Sequence, residues 1–103
     1  MIELYKKYAS SYGDVEFMNE EEAKKLLAST DLGNVSQLKP SIHPLYKINT
    51  NGAANHTHAF TAAAGHQDNQ APTLVSAKSM AMTAIEIACD AELLKRVRDE
   101  FAG

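Results

Sequence analysis

The chain has one cysteine, Cys89, so no disulfide can form within it. A lone thiol set in a helical pattern reads as buried and inert, and fits a reducing, cytoplasmic setting. Long apolar runs are missing too. None approaches the roughly 18 residues that a membrane-spanning helix needs. The opening residues, MIELYKKYASSYGD, are charged and amphipathic, without the uninterrupted apolar region of a secretory signal. Positive charge is sparse: the ten Lys and Arg form no dense run, and the net charge is −3. Phosphate binding needs a clustered basic surface, so nucleic acid is set aside as a partner, and membrane with it. No internal repeat, linker or low-complexity tract is present.

What remains is ordinary globular composition, 45% hydrophobic and 22% charged, which argues against wholesale disorder. The 103 residues make at most one domain, 1–103. A chain of this size buries about two-thirds of its unfolded surface, enough for one modest core.

All four histidines, His43, His56, His58 and His66, fall inside residues 29–66, together with Pro40, Pro44 and three of the five glycines. Helical periodicity fails in this stretch, and turn formers alternate with imidazoles. Loops on a rigid scaffold are where binding groups tend to sit, and imidazole is the commonest metal ligand near neutral pH. This is the candidate functional region.

The flanks read as helix. In residues 2–12, Ile2, Tyr5, Tyr8, Ala9 and Tyr12 share one face, and Gly13 is placed to stop the helix in a left-handed cap. Val15 to Met18 is a short apolar patch suited to a brief strand. Asn19 caps a helix expected over Glu20–Ala28, with Ala23, Leu26 and Leu27 on its buried side. Ser29 or Thr30 caps a third helix, Asp31–Leu38, which Pro40 ends. Residues 41–49 read as extended, at an edge because of their prolines. Asn51-Gly52 is a turn signal, and Ala59–Ala64 makes one or two helical turns before Gly65. Pro72 opens a helix to Cys89 with a stripe of Leu74, Ala77, Ala81, Ala84, Ile85 and Ala88, and Val75, Met80, Met82 and Ile87 make its other faces apolar too, so it is expected to be buried all round, against a sheet. Asp90 caps a last helix with Leu93, Leu94, Val97 and Phe101 turned inward.

Chemistry alone leaves the histidines open. In extended backbone His56 and His58 would point the same way, as side-chain direction has period two. A hydrogen-bonded surface or capping imidazole is nevertheless the commoner role of any one histidine. Asp31 is explained by its place at a helix N-terminus. A catalytic zinc takes about three protein ligands and an open position. The chain has no H-E-x-x-H and no C-x-x-C, and its adjacent glutamates are the solvated Glu20-Glu21-Glu22. No serine stands in a nucleophile-elbow context.

Taken in order, STDLGNVS, PSIHP, NHTHAFTAAAGHQ, AKSMAMTAIEIA and DAELLKRVRDEF resemble the C-terminal end of a known catalytic domain. The family is the dinuclear zinc amidohydrolases and peptidases, which includes aminoacylase-like proteins and p-aminobenzoyl-glutamate hydrolase. The resemblance runs from Ser29 to Phe101, with residues 2–28 fitting more loosely. It implies an α/β fold, a partial catalytic domain in which a few strands pack on a buried C-terminal helix between amphipathic helices. It implies that His56 stands at the last metal-ligand histidine. Asp31 matches an acidic position near the active-site floor, in a supporting or structural role. His43 matches a recurring histidine of no assigned role. At His58 and His66 relatives more often carry other residues.

The family's upstream H-x-D, bridging aspartate, Glu-Glu pair and lid domain have no counterpart in this sequence. The resemblance therefore implies a closing segment of a larger enzyme that hydrolyses N-acyl amino acids or dipeptides. That enzyme would use zinc or manganese, and this chain alone would be inactive, with no catalytic residue of its own. It implies a complementing chain or self-association as partner. A non-catalytic, self-associating module built on the same packing is the alternative.

Overall fold

The computed structural model describes residues 1–26 and 28–103, and these form helices and loops only. The helices are α1 (Ile2–Tyr12), α2 (Glu20–Lys24), α3 (Leu32–Ser36), α4 (His58–Ala64), α5 (Gln70–Cys89) and α6 (Ala91–Ala102). A 3₁₀ turn, Gln67–Asn69, leads straight into α5.

This overturns the expected α/β arrangement: among the described residues none lies in a strand. Residues 15–18 and 41–49, where a brief strand and an extended run were expected, carry no regular structure. A strand is stable only beside others, and Pro44 removes a backbone donor from the second stretch, with Pro40 just ahead of it. With no neighbour among the described residues, an extended tendency has nothing to pair with.

Local chemistry decides the helix ends. The Asn19 side chain accepts from the Glu22 backbone at 2.9 Å, and the Glu22 carboxylate accepts from the Asn19 backbone at 3.1 Å. This reciprocal cap starts α2, but the helix stops at Lys24, and Ala23 and Leu26 are exposed. Leu27, also expected on its inner side, lies outside the described residues. Helix α3 is likewise shorter than expected; Thr30 Oγ1 accepts from the Leu32 backbone at 3.3 Å at its start. Asp90 Oδ1 caps α6 by accepting from the Leu93 backbone at 3.0 Å. Gly13 ends α1 in extended backbone (φ −163°), which any residue adopts, and not in a left-handed cap. The position is close-packed on α5: a Cβ there would lie 3.1 Å from Val75 Cγ2, which would have to give way slightly.

The core is the seam between α1 and α5. Tyr5 and Ala9 are buried on α1, and Ser76, Ser79 and Thr83 are buried on α5. Tyr5 Oη and Ser76 Oγ share a buried hydrogen bond of 3.0 Å. Ser79 Oγ donates to the Val75 carbonyl at 2.6 Å, and Thr83 Oγ1 to the Ser79 carbonyl at 2.7 Å. Ser79 and Thr83 are satisfied by carbonyls of their own helix and Ser76 by Tyr5, so these small side chains pack as apolar groups would. On α6, Val97 is buried, while Phe101 stays exposed.

Helix α5, expected to be buried all round, is instead buried along one face only. Leu74, Ala77, Ala81, Ala84, Ile85 and Ala88 are all exposed. At about 100° per residue, their stripe lies roughly 180° from Ser76, Ser79 and Thr83. Cys89, expected buried, is exposed as well. No helix is long and apolar enough to cross a membrane among the described residues.

The whole exposes 8275 Å². A compact monomer of this mass would expose about 5,700 Å². The Cα radius of gyration is 15.5 Å, against about 13 Å for a compact chain of this length. Much apolar surface is left uncovered.

Beside the seam, the Tyr8 hydroxyl donates to Glu86 Oε2, and Lys7 Nζ lies 3.4 Å from the same oxygen. The Tyr8 hydrogen bond holds the Glu86 carboxyl below its usual range, partial desolvation opposes this, and Lys7 adds to it. The same bond pushes the Tyr8 phenol above its usual value. A lowered carboxyl stabilises the fold above the ordinary carboxylate value of 4.5 and loses that contribution as pH falls through its folded value. A raised phenol contributes fully below 10.0 and loses it as pH rises through its folded value. We expect Tyr8→Phe to flatten the acid limb of the thermal midpoint plotted against pH. Parallel acid limbs for the two proteins would show that the pair does not contribute.

Candidate functional site

Residues 49–69 are tied together by short polar clamps, and one side chain closes the whole. Asn69 is buried, and its amide uses both ends. Asn69 Oδ1 accepts from the Asn49 backbone at 2.8 Å, while Nδ2 donates to the Asn49 carbonyl at 2.9 Å and to the Ala63 carbonyl at 2.7 Å. One amide thus pins the long loop, the end of α4 and the start of α5. Thr73 Oγ1 donates to the Asn69 carbonyl at 2.7 Å and lies 3.2 Å from the Tyr46 hydroxyl, which ties the loop to α5 a second time.

From Asn49 the chain turns sharply. Ala53 N donates to the Thr50 carbonyl at 2.9 Å, with Asn51 at φ 49° and Gly52 at φ 82° between them. Two positive φ values inside such a turn are the mark of its primed form, which Asn-Gly favours. Thr57 then takes over: its Oγ1 donates to the Ala54 carbonyl at 2.7 Å and accepts from the Phe60 backbone at 3.1 Å. That second bond caps α4.

His56 sits between these clamps at φ 63°, in the left-handed region. An L-residue there costs about 1–2 kcal/mol, though histidine and asparagine visit it more readily than most. Such strain persists only where the surroundings fix it, and it clusters at functional positions. The Ala54–Thr57 bond and the α4 cap are what fix it here.

The other expected site residues are scattered. Asp31 is exposed at the head of α3 and makes no side-chain cap. His43 is exposed in the irregular stretch between Pro40 and Asn49. His58 is exposed as the first residue of α4, so it does not share an extended run with His56. His66 Nδ1 accepts from the Asp68 backbone at 3.3 Å, a capping role for an imidazole. Among the described residues no three His, Cys, Asp or Glu side chains gather as metal ligands. Two open hollows, one along α1, α5 and α6 and one at residues 47–52, include none of the histidines.

Asn69 is the residue that sequence reasoning passed over. Its signal was modest: an asparagine just ahead of a proline-opened helix suggests a cap, whereas its amide serves the loop instead.

Comparison with known proteins bears out the resemblance read from the motifs. Over 73 residues, 71% of this chain, the sequence is 49% identical to Xaa-Arg dipeptidase from Homo sapiens and 51% identical to that from Mus musculus. The matched stretch is 16% of the human protein and 17% of the mouse protein, so this chain spans about a sixth of their length. No protein-family profile and no solved structure matches the chain.

Two substitutions test the loop. Asn69→Ala removes three part-buried hydrogen bonds to the backbone of Asn49 and Ala63, and should cost about 1–3 kcal/mol. Limited proteolysis should then open residues 41–57 before the helices; unchanged cleavage would show that the clamp is dispensable. His56→Gly relieves the backbone and should raise stability by about 1 kcal/mol in denaturant titration. His56→Ala keeps a Cβ and should not. A loss of stability on going to glycine would mean that the imidazole itself holds the loop.

Proposed function

We propose that this chain, a segment of the amidohydrolase and peptidase family, forms the closing part of a metal-dependent catalytic domain that hydrolyses N-acyl amino acids or dipeptides. One observation carries the reading: half identity over 73 residues to dipeptidases of two mammals. Their name narrows the substrate to dipeptides that end in arginine.

The donor set of this chain does not fit a metal by itself. Zinc centres take three or four ligands, held in place by further hydrogen bonds. Of its four imidazoles His56 alone matches a ligand position in the resemblance, and no ligand group of three forms among the described residues. The Glu20–Glu22 run is engaged in the first turn of α2. Amide hydrolysis also needs a base for the attacking water, and none is matched here. His56 is accordingly read as one ligand contributed to a site that other residues complete, with Asp31 and His43 in supporting or structural positions. The isolated chain is inactive on this reading.

A second reading is favoured by the surface. A chain exposing roughly 2,600 Å² more than a compact monomer of its mass is suited to association, as a non-catalytic module would be.

The test is a graft. The 73 matched residues of the human dipeptidase are replaced by those of this chain, and dipeptide hydrolysis is assayed with zinc or manganese added. The grafted enzyme should turn over Xaa-Arg dipeptides, and His56→Ala within it should lower kcat/KM by about 100-fold or more. This chain alone should show no turnover. A folded but inactive graft, or activity indifferent to His56, would overturn the catalytic reading and leave the module.

A further inference from the structure

We propose that Asn51 is a site of spontaneous deamidation, in which the Gly52 backbone nitrogen closes on its side chain, and that the isoaspartate so formed releases the loop from its clamp. This goes beyond the enzymatic reading and does not rest on it.

Four observations single out this position. Of the six asparagines, Asn51 alone is followed by glycine. The others precede Glu20, Val35, Thr50, His56 and Gln70, each with a Cβ beside the nitrogen that would attack. Second, Asn51 and Gly52 are both exposed and lie outside any helix. Third, among the described residues neither the Gly52 nitrogen nor the Asn51 side chain has a hydrogen-bond partner. The fourth is open space: nothing stands within 4 Å of where a Cβ on Gly52 would lie. Three of the other amides are engaged. Asn19 and Asn49 accept from backbone N–H groups at 2.9 and 3.1 Å, and Asn69 is buried with all three of its bonds. Asparagine is one of the thermolabile residues, and Asn51 is the least protected of the set.

The reaction needs water and no other co-reactant. The Gly52 nitrogen gives its proton to solvent base and attacks Asn51 Cγ. An N–Cγ bond forms, the Cγ–Nδ2 bond breaks, and Nδ2 takes a proton and leaves as ammonia. Water then opens the five-membered imide at one of its two carbonyls. Opening at Cγ leaves aspartate. Opening at the main-chain carbonyl leaves isoaspartate, with the chain now running through Cβ and Cγ. Nothing is oxidised or reduced.

The two products act differently on the loop. Asp-Gly suits the same primed turn as Asn-Gly, so aspartate adds a charge and keeps the geometry. Isoaspartate lengthens the backbone by one atom inside the turn that Ala53 N and the Thr50 carbonyl close at 2.9 Å. Two residues upstream, Asn49 is the loop's anchor on the Asn69 amide, and its Oδ1 also accepts from Asn51 N. A longer turn takes Asn51 N away from that oxygen and strains the anchor. It also lifts the constraint that keeps His56 left-handed beyond it.

The test is ageing of the purified chain at body temperature in mildly alkaline buffer. Mass spectrometry should show a gain of one mass unit in the tryptic peptide 48–78, placed by fragmentation at residue 51. Two products of equal mass should separate on chromatography. Gly52→Ala crowds the attacking nitrogen, and Asn51→Gln enlarges the ring that must close; both should lose the gain over the same time. Limited proteolysis should cut residues 41–57 of the aged chain faster than those of the fresh chain. Fresh Asn51→Asp should be cut like the fresh native chain, which separates the added charge from the lengthened backbone. A native residue 51 that stays unconverted while a free peptide of residues 47–55 converts would overturn the proposal, as would earlier conversion at another asparagine. Isoaspartate at 51 with unchanged cleavage would overturn the release of the loop.

Discussion

The closeness of α1 to α5 is what the rest of the molecule hangs from. Ala9 on one helix and Ser79 on the other are almost wholly buried, and both side chains are small. The hydrogen bond from Tyr5 to Ser76 spans 71 positions of chain. Closing a loop that long costs roughly 4 kcal/mol of entropy beyond a constant term, while one neutral hydrogen bond returns about 1 kcal/mol. The bond therefore fixes the register of the seam, and the packing of small side chains along it supplies the stability. Bulk at Ala9 or Ser79 would push α1 away and free the Tyr8–Glu86 contact with it.

What could be read from the sequence was the part decided locally. The span of α1, the capping roles of Asn19 and Asp90, the Asn51-Gly52 turn and the proline in the first turn of α5 all follow from chemistry within a few residues. The orientation of α5 could not be read in that way. Leucine, isoleucine and alanine on one side, with serine and threonine on the other, point to the first as core. The preference reverses because Ser79 and Thr83 return their hydroxyl protons to carbonyls of their own helix, and Tyr5 satisfies Ser76. Residues so satisfied lose their claim on water. The expected strands failed for the complementary reason: pairing is a property of two segments, and a stretch such as residues 41–49 does not reveal whether a neighbour exists.

The histidine-rich region shows the same division. Broken periodicity set residues 29–66 apart, and the motifs around His56 led to the kind of protein that the comparison also finds. The left-handed backbone at His56 was not visible, since it arises from Thr57 gripping Ala54 on one side and starting α4 on the other. Nor was the buried amide of Asn69, whose partners lie six and twenty positions away.

The separation along the chain between the two halves of the seam also sets the order in which the molecule can assemble. During synthesis α1, amphipathic and short, emerges ahead of α5. Its partner surface, from Ser76 to Thr83, follows only after more than sixty further residues. At about 5–20 residues per second, α1 spends several seconds without its docking face. An isolated helix of eleven residues is marginal in water. The first helix in the sequence is thus among the last to become permanent, and nascent chains should remain open to proteases and chaperones until α5 has left the ribosome.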